Sequence, residues 1–75
     1  MSDKVYKIIE IVGTSDDSVD QAMRNAVDRA SKTLKGLDWV EMTQVRGLIE
    51  NGKLSQFQVS LKVGFRLMED GDLKA

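Results

Sequence analysis

The sequence contains no cysteine and no histidine. Without cysteine, no disulfide can brace the fold. With both missing, the usual zinc sites are excluded, and so are cysteine or histidine nucleophiles and imidazole bases. An excess of one charge sign is missing too. Eleven Lys and Arg stand against twelve Asp and Glu, for a formal net charge of −1, and they are interspersed along the chain. The basic footprint of a nucleic-acid binder is absent. No long apolar run occurs, and the first residues alternate charged and apolar. Neither a signal peptide nor a membrane span is expected, which favours the cytoplasm. Aromatic residues are scarce: one Trp, one Tyr and two Phe.

What is present makes one domain at most, since the chain has 75 residues. A chain of this size buries only about 60% of its unfolded surface. One such core rarely supplies more than about 3–5 kcal/mol. Oligomerisation is the remaining common way to stabilise it.

Lys4 to Val12 reads as a first strand. Val5, Ile9 and Ile11 point one way, interrupted by Lys7; Tyr6, Ile8 and Val12 point the other way, interrupted by Glu10. Both faces are apolar enough to call for cover, yet a single helix covers only one. Gly13 to Asp17 reads as a turn. A helix then starts near Ser18, where Ser18 and Gln21 fit a capping box and Asp16, Asp17 and Asp20 suit the helix dipole. Val19, Ala22, Met23, Ala26, Val27, Ala30, Leu34 and Leu37 form one apolar stripe. Asp20 with Arg24 and Asp28 with Lys32 are favourable pairs one turn apart. The helix is expected to reach Lys35, with Gly36 ending it.

Asn51-Gly52 lies between two alternating runs and is the strongest short-range hairpin signal, since a type I′ turn needs positive φ at both central residues. A uniform register then pairs Glu50 with Lys53, Ile49 with Leu54, Val45 with Gln58, Thr43 with Ser60, Glu41 with Lys62 and Trp39 with Gly64. The opposite, core face carries Val40, Met42, Val59, Leu61, Val63, Phe65 and Leu67. Strand–helix–strand–strand connectivity leaves the third strand in the middle, antiparallel to both neighbours. The expected architecture is α+β: a single β-α-β-β domain over residues 1–68, with a three-stranded antiparallel sheet in the order 1-3-2. Residues 69–75 form a polar tail, expected to be disordered. The hairpin arms, about 44 Å long, overhang a helix of about 25 Å. In uniform register the overhang puts Arg46 opposite Phe57 and Leu48 opposite Ser55. So apolar an edge suggests an assembly surface.

Trp39 falls on the polar face, opposite a residue without a side chain. A large indole there lies exposed, meets another subunit, or stacks on a flat ligand. Gln58 shares that face, and its amide suits a heterocycle with alternating C=O and N–H groups. Six strand positions, about 20 Å, separate it from Trp39, so one small ligand meets both only if the site is built across subunits. Arg46, Arg66 and Lys7 are candidate phosphate partners. A uniform register puts Arg46 on the wrong face, and a bulge or a subunit boundary would be needed to correct it. One Gly-Thr-Ser is no phosphate loop, and no pair of carboxylates stands out as acid and base.

Nearly the whole chain resembles the dodecins. The resemblance is carried by Val5-Tyr6-Lys7, Glu10-Ile11-Val12-Gly13-Thr14-Ser15, Leu37-Asp38-Trp39, Arg46-Gly47, Phe57-Gln58-Val59 and Val63-Gly64-Phe65-Arg66-Leu67. It implies a sheet wrapped partly around the helix and a hollow shell of twelve subunits. Six sites would each hold a stacked pair of flavins between tryptophans of symmetry-related subunits. Trp39 matches the stacking position, Gln58 the one that hydrogen-bonds the isoalloxazine edge, and Arg46 a bacterial-type position near the ligand. Arg66 and Lys7 remain candidates for phosphate contacts. Bacterial members are similar in preferring FMN, and some also hold coenzyme A. The implied role is flavin storage, buffering and photoprotection without turnover. Two alternatives stay open: an interaction module with Trp39 as a subunit contact, and a small flavin reductase-like enzyme.

Overall fold

The computed structural model describes residues 4–67, so the expected tail lies outside the described residues. The elements are β1 (Tyr6–Ser15), α1 (Val19–Ser31), β2 (Leu37–Glu50) and β3 (Lys53–Arg66). The strands form one antiparallel sheet in the order β1-β3-β2, with α1 packed on β1 and β3. The molecule is long and thin, 54 × 21 × 14 Å.

β1 starts and ends later than turn chemistry suggests. Gly13, Thr14 and Ser15 are not a turn: they pair with Val59, Gln58 and Phe57 of β3. The glycine is there because α1 crosses it. A Cβ at Gly13 would collide with the Ala22 carbonyl oxygen and stand 2.7 Å from the Ala26 Cβ. The chain then turns on a side chain. Ser15 Oγ accepts from the Asp17 N–H at 2.9 Å and from the Ser18 N–H at 3.3 Å.

Ser18 caps α1 with extended backbone, and its Oγ accepts from the Gln21 N–H at 2.9 Å. The reciprocal half of the capping box does not form: the Ser18 N–H donates to Ser15 Oγ instead, and the Gln21 Nε2 donates to Asn25 Oδ1 at 2.8 Å. Asp20 and Arg24 pair at 2.9 Å. Among the described residues the expected Asp28–Lys32 pair is not closed. The helix stops at Ser31, a turn short of Lys35. The Lys32 and Thr33 amides reach back only three residues, to the Arg29 and Ala30 carbonyls, tightening the last turn. Gly36, with φ 80°, then redirects the chain, and its carbonyl accepts the Arg66 N–H at 3.0 Å.

The core is small. Ala22 and Ala26 of α1 close on Val59 and Leu61 of β3, with Ile11, Val19 and Met23 packed alongside; Val63 of β3 is buried as well. Each fully buried Val or Leu is worth about 1.5–3 kcal/mol. β2 lies beyond the helix, so Met42 and Val45 stay exposed although they face its side.

The β2–β3 hairpin turns at Asn51 (φ 55°) and Gly52 (φ 78°). Both of its ends keep the uniform register. Glu50 faces Lys53 and Ile49 faces Leu54; Met42 faces Leu61, Glu41 faces Lys62 and Trp39 faces Gly64. The middle does not. There Gln44 faces Ser60, Val45 faces Val59, Arg46 faces Gln58 and Leu48 faces Gln56. Thr43 is one residue too many on β2, and Ser55 one too many on β3, so two bulges cancel. This overturns the uniform pairings of Val45, Thr43, Arg46 and Leu48. Both extra residues carry a hydroxyl that bonds the facing strand. Thr43 Oγ1 donates to the Ser60 carbonyl at 3.1 Å and Ser55 Oγ to the Leu48 carbonyl at 3.4 Å.

Candidate ligand-binding face

The sheet face away from α1 carries the candidate residues in two groups. One group surrounds Trp39. Its indole lies over Gly64, where a Cβ would collide with Cε2 and Cζ2 of the ring. Glycine here is a requirement of the aromatic position. Trp39 keeps 39% of its surface exposed. It reaches across β3 towards Tyr6, with ring centroids 6.1 Å apart and planes tilted by 54°. The Tyr6 O–H donates to Asp38 Oδ2 at 2.7 Å. That hydrogen bond first, and burial second, raise the Tyr6 pKa above its ordinary value, against the opposing charge of Arg66. Arg66 faces Tyr6 in the ladder and so shares this group.

The second group surrounds Gln58, which lies between Arg46 on β2 and Thr14 on β1. The Arg46 guanidinium is held by Gln44 Oε1 at 2.8 Å and Ser60 Oγ at 3.3 Å. Gln58 Nε2 donates to Gln56 Oε1 at 3.2 Å. The Thr43 bulge thus brings Arg46 to the face of Trp39 and beside Gln58. Six positions of β3 separate Gly64 from Gln58, about 20 Å. Within one chain, the two groups cannot touch one small ligand. Lys7 faces Phe65 and lies on the helix side, apart from both.

A groove of about 470 Å³ runs between the groups, lined by Glu10, Val12, Thr43, Gln44, Ser60 and Lys62. Its walls mix polar and charged groups with Ile11 and Val12 and hold no aromatic ring, so a flat heterocycle finds its stacking partner outside it. Around it the face is partly apolar and uncovered, with Ile8 at 51% and Val12 at 55% exposure. Among the described residues, no three acidic side chains converge to hold a metal ion. Among the described residues, no helix is long and apolar enough to cross a membrane.

The family model described as Dodecin matches residues 5–68. The chain belongs to the dodecin family. It is 48% identical to the dodecin of Thermus thermophilus over 66 residues, covering 88% of this chain and 96% of that one. The structure of dodecin from Streptomyces coelicolor superposes with a TM-score of 0.86 at 61% identity, covering 93% of this chain and all of the other. A more distant relative is the calcium dodecin of Mycobacterium tuberculosis, 29% identical over 63 residues, covering 84% of this chain and 89% of that one. For this dodecin, Tyr6 and Asp38 are the site neighbours that sequence reasoning passed over. Tyr6 was accessible to it through strand parity, since it shares the Ile8 face and its ladder partner is Arg66. Asp38 was not, because it reaches Tyr6 from a break in the β2–β3 ladder between Leu37 and Trp39.

Proposed function

We propose that this dodecin binds flavins as a store and buffer that also protects them from their own photochemistry, without turnover. The observation that carries the reading is Trp39. Its indole is braced on Gly64 and partly open, on a sheet face that nothing among the described residues covers. A surface indole held in this way is a platform for a flat ring. An indole stacked on a flavin quenches it by donating an electron to its excited state.

The rest of the donor set fits such a ligand. The Gln58 amide offers a donor and an acceptor to the C=O and N–H edge of an isoalloxazine, and Arg46 stands beside it. The separation of the two groups calls for a site shared between copies. So does the exposed apolar surface of Ile8, Val12, Val45 and Leu48. We take the assembly to be a hollow dodecamer with six sites, each holding two flavins between two Trp39 rings. FMN is the first candidate, with riboflavin and related flavins next. Arg66, which shares the Trp39 group, is the cation for a ligand phosphate, whether of FMN or of coenzyme A; Lys7, on the other face of the sheet, would reach one only from a neighbouring copy. The cytoplasm is the compartment proposed.

Titrating FMN with ligand-stripped protein and following flavin fluorescence tests this. Strong quenching that saturates at one flavin per chain is expected. Absence of quenching at micromolar protein would remove FMN as the ligand. Trp39 would then be read as a contact between copies, the alternative that the same uncovered face favours.

A further inference from the structure

Tyr6 and Trp39 are the only tyrosine and the only tryptophan in the chain. The fold places them together. Tyr6 stands in β1 opposite Arg66, and Trp39 in β2 opposite Gly64. Because Gly64 has no side chain, the indole crosses β3 and its centroid comes within 6.1 Å of the phenol. The far end of the phenol is occupied as well. Its O–H donates to Asp38 Oδ2 at 2.7 Å, a length typical of a hydroxyl bonded to a carboxylate. An oxidisable indole, an oxidisable phenol and a base for the phenol proton therefore stand in a row.

We propose that Tyr6 and Asp38 form a proton-coupled electron relay that re-reduces Trp39 after it has given up an electron. In the cell this rests on the flavin reading above, with the photo-excited flavin as the one-electron oxidant. The indole loses one electron and becomes a radical cation. Tyr6 supplies one electron to it and restores the neutral indole. The Tyr6 O–H bond breaks, and its proton moves along the existing hydrogen bond to form an O–H bond on Asp38. The products are a neutral tyrosyl radical and a protonated Asp38. When the reduced flavin returns its electron to Tyr6, the proton returns from Asp38, and nothing is consumed.

The carboxylate decides whether this can happen. An oxidised phenol is a very strong acid, so oxidation with no proton acceptor leaves positive charge on the ring. Transfer to a base already in hydrogen-bond contact avoids that state. At neutral pH the phenol carries its proton, as an ordinary tyrosine does, and the bond points that proton at Asp38, so electron and proton leave together. Moving the radical one residue away from the ligand also shortens its time on the indole, where oxygen attacks irreversibly.

The test uses flavin-free protein and supplies the oxidant from outside. A pulse of azide radical, a small oxidant that prefers indole, is followed by transient absorption. With one tyrosine and one tryptophan per chain, each radical band has a single source. In the parent, the indole radical, which regains its N–H proton from water where it has lost it, should give way to the sharp tyrosyl band. Asp38→Asn, which keeps an acceptor but a far weaker base, should slow that conversion by about tenfold or more. Tyr6→Phe should abolish it and leave the indolyl radical. Equal indolyl lifetimes in all three proteins would overturn the relay. A parent that fails to quench FMN yet shows the conversion would contradict the flavin reading and support the relay.

Discussion

Arg46 faces Gln58 across the β2–β3 ladder, and it does so because Thr43 is bulged out of β2. With Thr43 in the ladder, every later residue of β2 would move one place and Arg46 would face Phe57. The bulge turns a cation that belongs to the helix side into a neighbour of the amide on the open face. Bulges are found where a side chain must be re-aimed, and this one assembles the polar half of the proposed site.

If Arg46 and Gln58 act together on a flavin edge, removing either should weaken FMN binding moderately. Each Ala variant is expected to lose about 0.5–1.5 kcal/mol, the worth of an ordinary hydrogen bond. Because the two residues are ladder partners, the double variant should depart from additivity. Fluorescence titrations of the three variants measure this. Loss of assembly in Gln58→Ala would instead make that residue structural.

Gly64 tests the brace under the indole. In Gly64→Ala the new Cβ meets the Trp39 ring, so the ring must move while the strand stays paired. The expected result is a folded protein with altered near-ultraviolet circular dichroism from its one tryptophan and weakened FMN quenching. A variant that matches the parent in both would show that the ring needs no support from Gly64.

Gly13 tests the helix seat and should behave differently. Its added Cβ would meet backbone, the Ala22 carbonyl, as well as the Ala26 side chain. Neither can swing aside as a flexible side chain can. Gly13→Ala should therefore destabilise the fold by about 1–3 kcal/mol, the usual cost of overpacking, and thermal unfolding would reveal it. An unchanged Tm would mean that α1 can ride further from β1 at no cost.

The phenol of Tyr6 gives a pH signature. Its pKa is raised above the ordinary 10.0, first by its hydrogen bond to Asp38. The folded protein therefore holds that proton more tightly than the unfolded chain does. The associated stability is fully present below about pH 10 and is lost as pH rises through the higher folded value. Absorbance of the single tyrosinate should show a midpoint above 10, falling in Asp38→Asn. A parent midpoint at or below 10 would mean that the Tyr6–Asp38 bond is not kept in solution.

Much of this architecture is legible in the sequence, because local chemistry and global topology agree. Asn51-Gly52 sets the hairpin, Ser18 the helix start, and strand connectivity the β1-β3-β2 order. The pairing of Trp39 with Gly64 is also correct when counted from the turn, though for an incomplete reason: Thr43 and Ser55 each add a residue, on opposite strands, and cancel before Trp39 is reached. Between them the count is wrong by one, and no residue type announces a bulge in advance. Gly13-Thr14-Ser15 misleads in another way. Its composition is that of a turn, but the glycine is needed for the approach of α1, and the turn falls two residues later. The helix ends early because its last turn tightens before Gly36 is reached.

Trp39 as a stacking platform is the central claim, and FMN binding by Trp39→Ala tests it most directly. Removing an aromatic platform under a heterocycle costs about 1–3 kcal/mol. With two Trp39 rings per shared site, the loss should reach the upper end of that range while the assembly stays intact by size-exclusion chromatography. An assembled Trp39→Ala protein that binds FMN as tightly as the parent would contradict the stacking site.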